Sequence, residues 1–165
     1  MKKLYKFFLP ATLFSLVSCW DYLRQPVPEY ESRYEPVVVS RSDLQNIKME
    51  VPKTAVENSK IYLKDNFIFV NDRKAGFQII DNSIPDSPKK LKFLRAVGST
   101  DVAMRGDIMY VNQARDLVAL RVNPTTGTVQ VLKRIENVFP AVVSPDGEVS
   151  DVGSNKVVID WKRKN

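Results

Sequence analysis

Ile61-Tyr62-Leu63-Lys64-Asp65-Asn66-Phe67-Ile68-Phe69-Val70-Asn71 recurs as Val102-Ala103-Met104-Arg105-Gly106-Asp107-Ile108-Met109-Tyr110-Val111-Asn112, at an offset of 41 residues. Each copy opens on a short apolar run, pauses at a turn pair (Asp65-Asn66 or Gly106-Asp107) and resumes in a run ending on asparagine. Short β-branched and aromatic runs bounded by turn formers are the signature of antiparallel strands. After one deletion, Phe77-Gln78-Ile79-Ile80 is matched by Leu117-Val118-Ala119-Leu120 at an offset of 40. Both copies then meet a turn containing proline (Asn82-Ser83-Ile84-Pro85, Asn123-Pro124) and a further strand, Leu91 to Arg95 or Val129 to Ile135. No window sustains a 3.6-residue apolar period, so long helices are not expected.

A unit of about 40–45 residues with four strands has the dimensions of a β-propeller blade. The expected fold class is all-β, with repeat sheets of propeller type over residues 60–98 and 99–140. A closed propeller uses about 4–8 blades, so two make an incomplete one. Residues 141–165 add a Ser144-Pro145-Asp146-Gly147 turn, one strand at Val157-Val158-Ile159 and a basic tail. Ending after two units leaves open strand edges and exposed apolar side chains. Three outcomes are compatible with this: a front part of a longer reading frame, a homo-oligomer whose chains complete a ring, or a small sandwich in its own right. Marginal stability is expected.

Residues 20–58 have a different texture. Pro26, Pro28, Pro36 and Pro52 are 4 of the chain's 10 prolines, interleaved with Glu29, Tyr30, Glu31, Tyr34 and Glu35. Such a stretch favours extended backbone, so 19–59 is read as a semi-stiff tether. Within it Val37-Val38-Val39 suits a short strand. Ser42-Asp43-Leu44-Gln45 offers an N-cap with glutamine three residues on, which predicts a short helix over 42–49, ended by Pro52.

The first residues read as a targeting signal, 1–18. Lys2, Lys3 and Lys6 precede an apolar stretch from Phe7 to Val17, broken only by Pro10, Thr12 and Ser15. At 11 residues it is too short for a hydrocarbon core that needs about 20, but it has the length of a signal-peptide core. Leu16-Val17-Ser18-Cys19 resembles the lipobox of bacterial lipoproteins. The resemblance implies that Leu16, Val17 and Ser18 are read by the signal peptidase. It also implies that the Cys19 sulfur takes a diacylglycerol and that the mature chain starts there. A bacterial envelope location follows, with the outer membrane favoured. The alternatives are an uncleaved N-terminal helix or an ordinary signal peptide.

The repeats resemble the LVIVD-repeat family of bacterial lipoproteins, whose body is a predicted β-propeller. Phe77-Gln78-Ile79-Ile80-Asp81 and Leu117-Val118-Ala119-Leu120-Arg121 are the two copies of its motif; Asp81 keeps the final acid and Arg121 departs from it. Ser40 to Leu44, Lys60-Ile61-Tyr62, Ile80-Asp81-Asn82 and Asn137-Val138-Phe139-Pro140 are also similar to that family. The resemblance covers roughly residues 36–161. It implies export and a propeller-like body, and brings no catalytic residues.

Composition narrows the chemistry. The chain has no histidine and one cysteine, which excludes Ser-His-Asp and Cys-His nucleophiles, histidine-ligated metals, intramolecular disulfides and multi-cysteine zinc sites. Removal of Lys2, Lys3 and Lys6 from 25 basic residues leaves 22 against 19 acids, a charge of +3. The remaining cations are scattered, so nucleic acid is not an expected partner. Asp146-Gly147-Glu148 with Ser150 and Asp151 has the oxygens of a calcium loop but not an EF-hand order, and Ser-Pro-Asp-Gly is a common turn string. Asp65, Asp72, Asp81 and Asp86 would have to supply the carboxylate pair of a glycosidase, yet all four fall at expected turns. The aromatic set Trp20, Tyr22, Tyr30, Tyr34 and Trp161 suits a glycan or the membrane interface; within it Trp20 and Tyr22, beside the anchor, fit the headgroup level, and Trp161 fits the core. The function expected is a non-catalytic binding or assembly module for an envelope protein or glycan. No cofactor is expected beyond the lipid on Cys19. A truncated inactive copy and a small metal-dependent or hydrolytic enzyme are the alternatives.

Overall fold

The computed structural model describes residues 31–54 and 57–165. Of these, 54% lie in strands and 4% in helix, in three antiparallel sheets that do not close on one another. The chain runs β1 (Tyr34–Ser40), α1 (Arg41–Gln45), β2 (Lys48–Glu50), β3 (Asn58–Lys64), β4 (Phe67–Asp72), β5 (Gly76–Asp81) and β6 (Lys89–Arg95). It continues through β7 (Ser99–Arg105), β8 (Ile108–Gln113), β9 (Asp116–Asn123), β10 (Thr128–Ile135) and β11 (Lys156–Arg163). One sheet has the order β2-β6-β5-β4-β3, the second β10-β9-β8-β7, and β1 pairs with β11 as a ribbon.

The two larger sheets repeat each other in register. Ile61 faces Val70 and Tyr62 faces Phe69 in the first; 41 residues later Val102 faces Val111 and Ala103 faces Tyr110. Phe69 faces Ile79 and Val70 faces Gln78; Tyr110 faces Ala119 and Val111 faces Val118, which places the single deletion in the intervening turn. The irregularities repeat as well. One falls between Asn58 and Ile61 and between Ser99 and Asp101, another where β5 pairs with β6 and β9 with β10. Shared bulges mark two copies of one supersecondary unit, since a bulge is a specified feature of a strand pair.

Residues directly opposite in an antiparallel pair share a face. The face of Phe69, Phe77 and Ile79, with Tyr62 at its margin, packs against the face of Val102, Val111, Val118, Met109 and Leu120. These are opposite faces of the repeat: the counterparts of Tyr62, Phe69 and Ile79 are Ala103, Tyr110 and Ala119. The units therefore stack front to back. Ile61 and Leu63, on the far face of the first sheet, remain 61% and 70% exposed.

The ribbon of β1 and β11 covers one end of this stack. Leu44, Ala114, Val157 and Ile159 form a second core with Val37, Val39 and Val97 at its margin. Lys74, in the β4–β5 turn, donates from Nζ to the Ile159 carbonyl at 2.6 Å. The turns at Asp65-Asn66, Gly106-Asp107 and Asn123 to Gly127 lie at the opposite end.

The tether reading is corrected over residues 34–50. β1 belongs to the ribbon and β2 adds a fifth strand to the first sheet, pairing Met49 with Leu94. The expected helix 42–49 is a single turn, Arg41–Gln45. Its cap is Ser40, whose Oγ accepts from the Asp43 amide at 3.0 Å while the Asp43 carboxylate accepts from Ser40 Oγ at 2.7 Å. This reciprocal cap uses aspartate three residues on, so it starts the turn two residues earlier than a cap at Ser42 would. Lys48 to Glu50 then leave the helix for the open edge of β6. The expected strand at Val157-Val158-Ile159 runs to eight residues because it has all of β1 as partner.

Candidate functional site

The motif strands lie at the centre of the structure. Phe77 and Ile79 are fully buried, as are Val118 and Leu120. Gln78 is buried too, its Nε2 donating to the Lys92 carbonyl at 2.8 Å and its Oε1 accepting from the Lys53 amide at 3.1 Å. Ile80 and Ala119 are half-buried and Leu117 partly so. The fifth position differs for a local reason. Asp81 accepts from the Ser83 amide at 2.8 Å and Ser83 Oγ at 2.6 Å, so it starts the next turn; those bonds hold its carboxyl below the usual range. In the second copy β9 runs on to Asn123, whose side chain takes that task by accepting from the Thr126 amide at 3.0 Å. Arg121 is then free to pair with Asp107 at 2.8 Å.

A recess of about 270 Å³ opens at the end away from the ribbon, between the two sheets. Phe67 and Phe69 of β4, Met104 of β7, Met109 of β8 and Val122 of β9 form its apolar walls, and the turns carrying Asp65, Asp107 and Asn123 form its rim. Lys64 pairs with Asp65 at 2.7 Å on that rim. The hydrogen bond from Arg121 holds the Asp107 carboxyl below the usual range, so it stays ionised near neutral pH. Apolar walls with a charged rim suit an apolar side chain carried by a polar backbone. The sequence reading missed this recess. Its walls come from alternate residues of four strands, and the only sequence trace is the pair of methionines where the first copy has leucine and isoleucine.

The most tightly bonded polar cluster joins the ribbon end to the second unit. Asp116 is fully buried. It accepts from Arg41 Nη1 at 2.8 and 3.0 Å, Arg134 Nη1 at 2.8 Å and the Asn137 amide at 3.1 Å. Burial would push its carboxyl up; the bonds from Arg41, the Asn137 amide and Arg134 outweigh that and hold it below the usual range. Gln113 and Arg134 both donate to the Leu44 carbonyl at 2.9 Å, satisfying the C-terminal end of α1. Between the units, Asp101 receives Lys60 Nζ and Tyr62 Oη, the latter at 3.0 Å.

The other acids are dispersed. Asp65 and Asp72 stand at opposite ends of β4, and Asp72 accepts from the Glu57 amide at 3.0 Å. Asp86 is exposed. Asp146 accepts from Ser32 Oγ and the Arg33 amide at 3.0 and 2.9 Å, and the Gly147 amide closes the turn onto Ser144 at 3.0 Å. Among the described residues no group of three acidic side chains is gathered as a metal would need. Trp161, half-buried in β11, donates from Nε1 to the Val142 carbonyl at 2.9 Å. Leu16, Val17, Ser18, Cys19, Trp20, Tyr22 and Tyr30 lie outside the described residues. No family model, curated protein or solved structure matches this chain.

Proposed function

We propose that this chain is a lipoprotein of the bacterial envelope, held to the outer membrane through Cys19, and that its β body is a propeller-type binding module without catalytic activity. The observation that carries the reading is the front-to-back stacking of two sheets with identical register and shared bulges, the manner in which blades succeed one another. The motif resemblance and the lipobox support export. The apolar recess at the blade ends supports a protein partner over a glycan, since Phe67, Phe69, Met104 and Met109 offer an apolar side chain a slot rather than a sugar a platform.

Two experiments test it. Metabolic labelling with an alkynyl fatty acid should mark the wild type and not Cys19→Ser, and the variant should leave the membrane fraction. Equal labelling of both would end the lipoprotein reading. A photo-crosslinking residue at Met104, on the recess wall, should capture one envelope protein reproducibly, and Ile108→Lys, at a half-buried position lining the same recess, should lose it. Capture of peptidoglycan or lipopolysaccharide instead would overturn the choice of a protein partner.

A further inference from the structure

A second and smaller pocket, of about 100 Å³, lies on the ribbon side of the molecule. Arg41 of α1, Arg115 of the β8–β9 turn and Lys156 at the start of β11 line it, together with the segment from Ser150 to Gly153. The three cations come from elements far apart in sequence. Arg41 spends one guanidinium nitrogen on Asp116 and the other on Asn137 Oδ1 at 3.1 Å. Arg115 and Lys156 make no ion pair or side-chain hydrogen bond among the described residues. The Arg115 Nε atom is moreover buried and has no partner.

Buried polar atoms in native proteins are nearly always satisfied. An orphaned guanidinium N–H on a residue that lines a polar pocket leaves an acceptor wanting, and the neighbouring charges state its sign. The acids nearby do not cancel them. Asp151 is exposed and accepts from the Gly153 amide at 3.0 Å. Asp116 is shared between Arg41 and Arg134, and Glu136 stands 4.0 Å from Arg41 with half its side chain in solvent. The pocket has room for one tetrahedral oxyanion. We infer that this pocket is an anion site that binds a phosphate group, free or terminal on a larger molecule, with Arg115 as a planar donor and Lys156 as a point charge.

The test uses the full chain in detergent, labelled with ¹⁵N-arginine and titrated with inorganic phosphate or glycerol 3-phosphate at constant ionic strength. One Nε–H resonance, the one absent from Arg115→Lys, should shift saturably with either compound. Lys156→Gln, a change at an exposed position that leaves the fold intact, should weaken the apparent affinity by about tenfold, as removal of one charge-assisted contact would. Lys89→Gln, an exposed position at the start of β6 outside the pocket lining, should leave it unchanged. The inference fails if no arginine resonance saturates, if chloride reproduces the shift, or if Lys156→Gln binds like wild type. Acetate binding as tightly as phosphate would overturn the assignment to a phosphate group.

Discussion

Gly76 and Asp116 occupy the same position in the two repeats, each paired across its turn, with Asp72 and Gln113 respectively. Two different residues at one repeat position show how much a single residue carries. A Cβ on Gly76 would stand 2.0 Å from the Leu94 carbonyl oxygen at a φ of +149°, so Gly76→Ala should cost about 2 kcal/mol or more through strain and displaced backbone. Gly106, at a φ of +59° with nothing near its missing Cβ, carries only the conformational penalty, and Gly106→Ala should cost about 1 kcal/mol. Urea midpoints of the two variants would check the contrast. Asp116 instead anchors two arginines whose side chains are 20% and 13% exposed. Asp116→Ala would strand both and should cost about 3–5 kcal/mol. Because the folded-state pKa of Asp116 is lowered, the unfolded chain binds the proton more readily. The stability it contributes is complete above the unfolded value of about 3.9 and is lost as pH falls through the lower folded value. Asp116→Asn should therefore flatten the acid limb of a stability–pH curve below about pH 4; an unchanged limb would remove Asp116 from the explanation.

At the scale of elements, amide exchange should be slowest in β5 and β8, which have neighbours on both sides and buried faces, and fastest in the three-residue edge strand β2. Leu44, the one buried residue of α1, fills the space beneath the ribbon, and Leu44→Ala should cost about 2–5 kcal/mol. The repeats were legible because both copies carry the same alternation and the same turn residues, so each validated the other. β2 was not, because three residues with no turn signal of their own are strand only where an unpaired edge of β6 receives them. The partnership of β1 with β11 was equally invisible. A proline-bearing, acidic stretch such as Tyr34-Glu35-Pro36 reads as extended in isolation, and nothing local says that its partner lies at residues 156–163. The recess and the cationic pocket share that opacity, since each is assembled from turns and strands that only the stacking brings together.

For the whole molecule, the ribbon touches both repeats through Lys74, Gly98 and Ala114, which predicts one cooperative unfolding unit. In a Trp20→Phe background the fluorescence of Trp161 reports the ribbon and far-UV circular dichroism the sheets. Their urea transitions should coincide, and Leu44→Ala should shift both equally. A ribbon that melts first would show that the sheets stand without it. Val131, Leu132, Ile135, Val138, Val143 and Val149, from β10 onward, are all exposed.

The pairing of β1 with β11 also fixes an order of events. A ribosome makes Tyr34 to Ser40 long before Lys156 to Arg163, so β1 must wait, without its partner, until β11 has emerged. Closing so distant a contact carries a larger entropic cost than any hairpin in the two repeats. The sheets can therefore assemble from neighbouring hairpins as they appear, while the final lock on Leu44 and the Asp116 cluster is deferred until β11 has been made. A chain built this way remains open at one end until the second strand of its ribbon has been made.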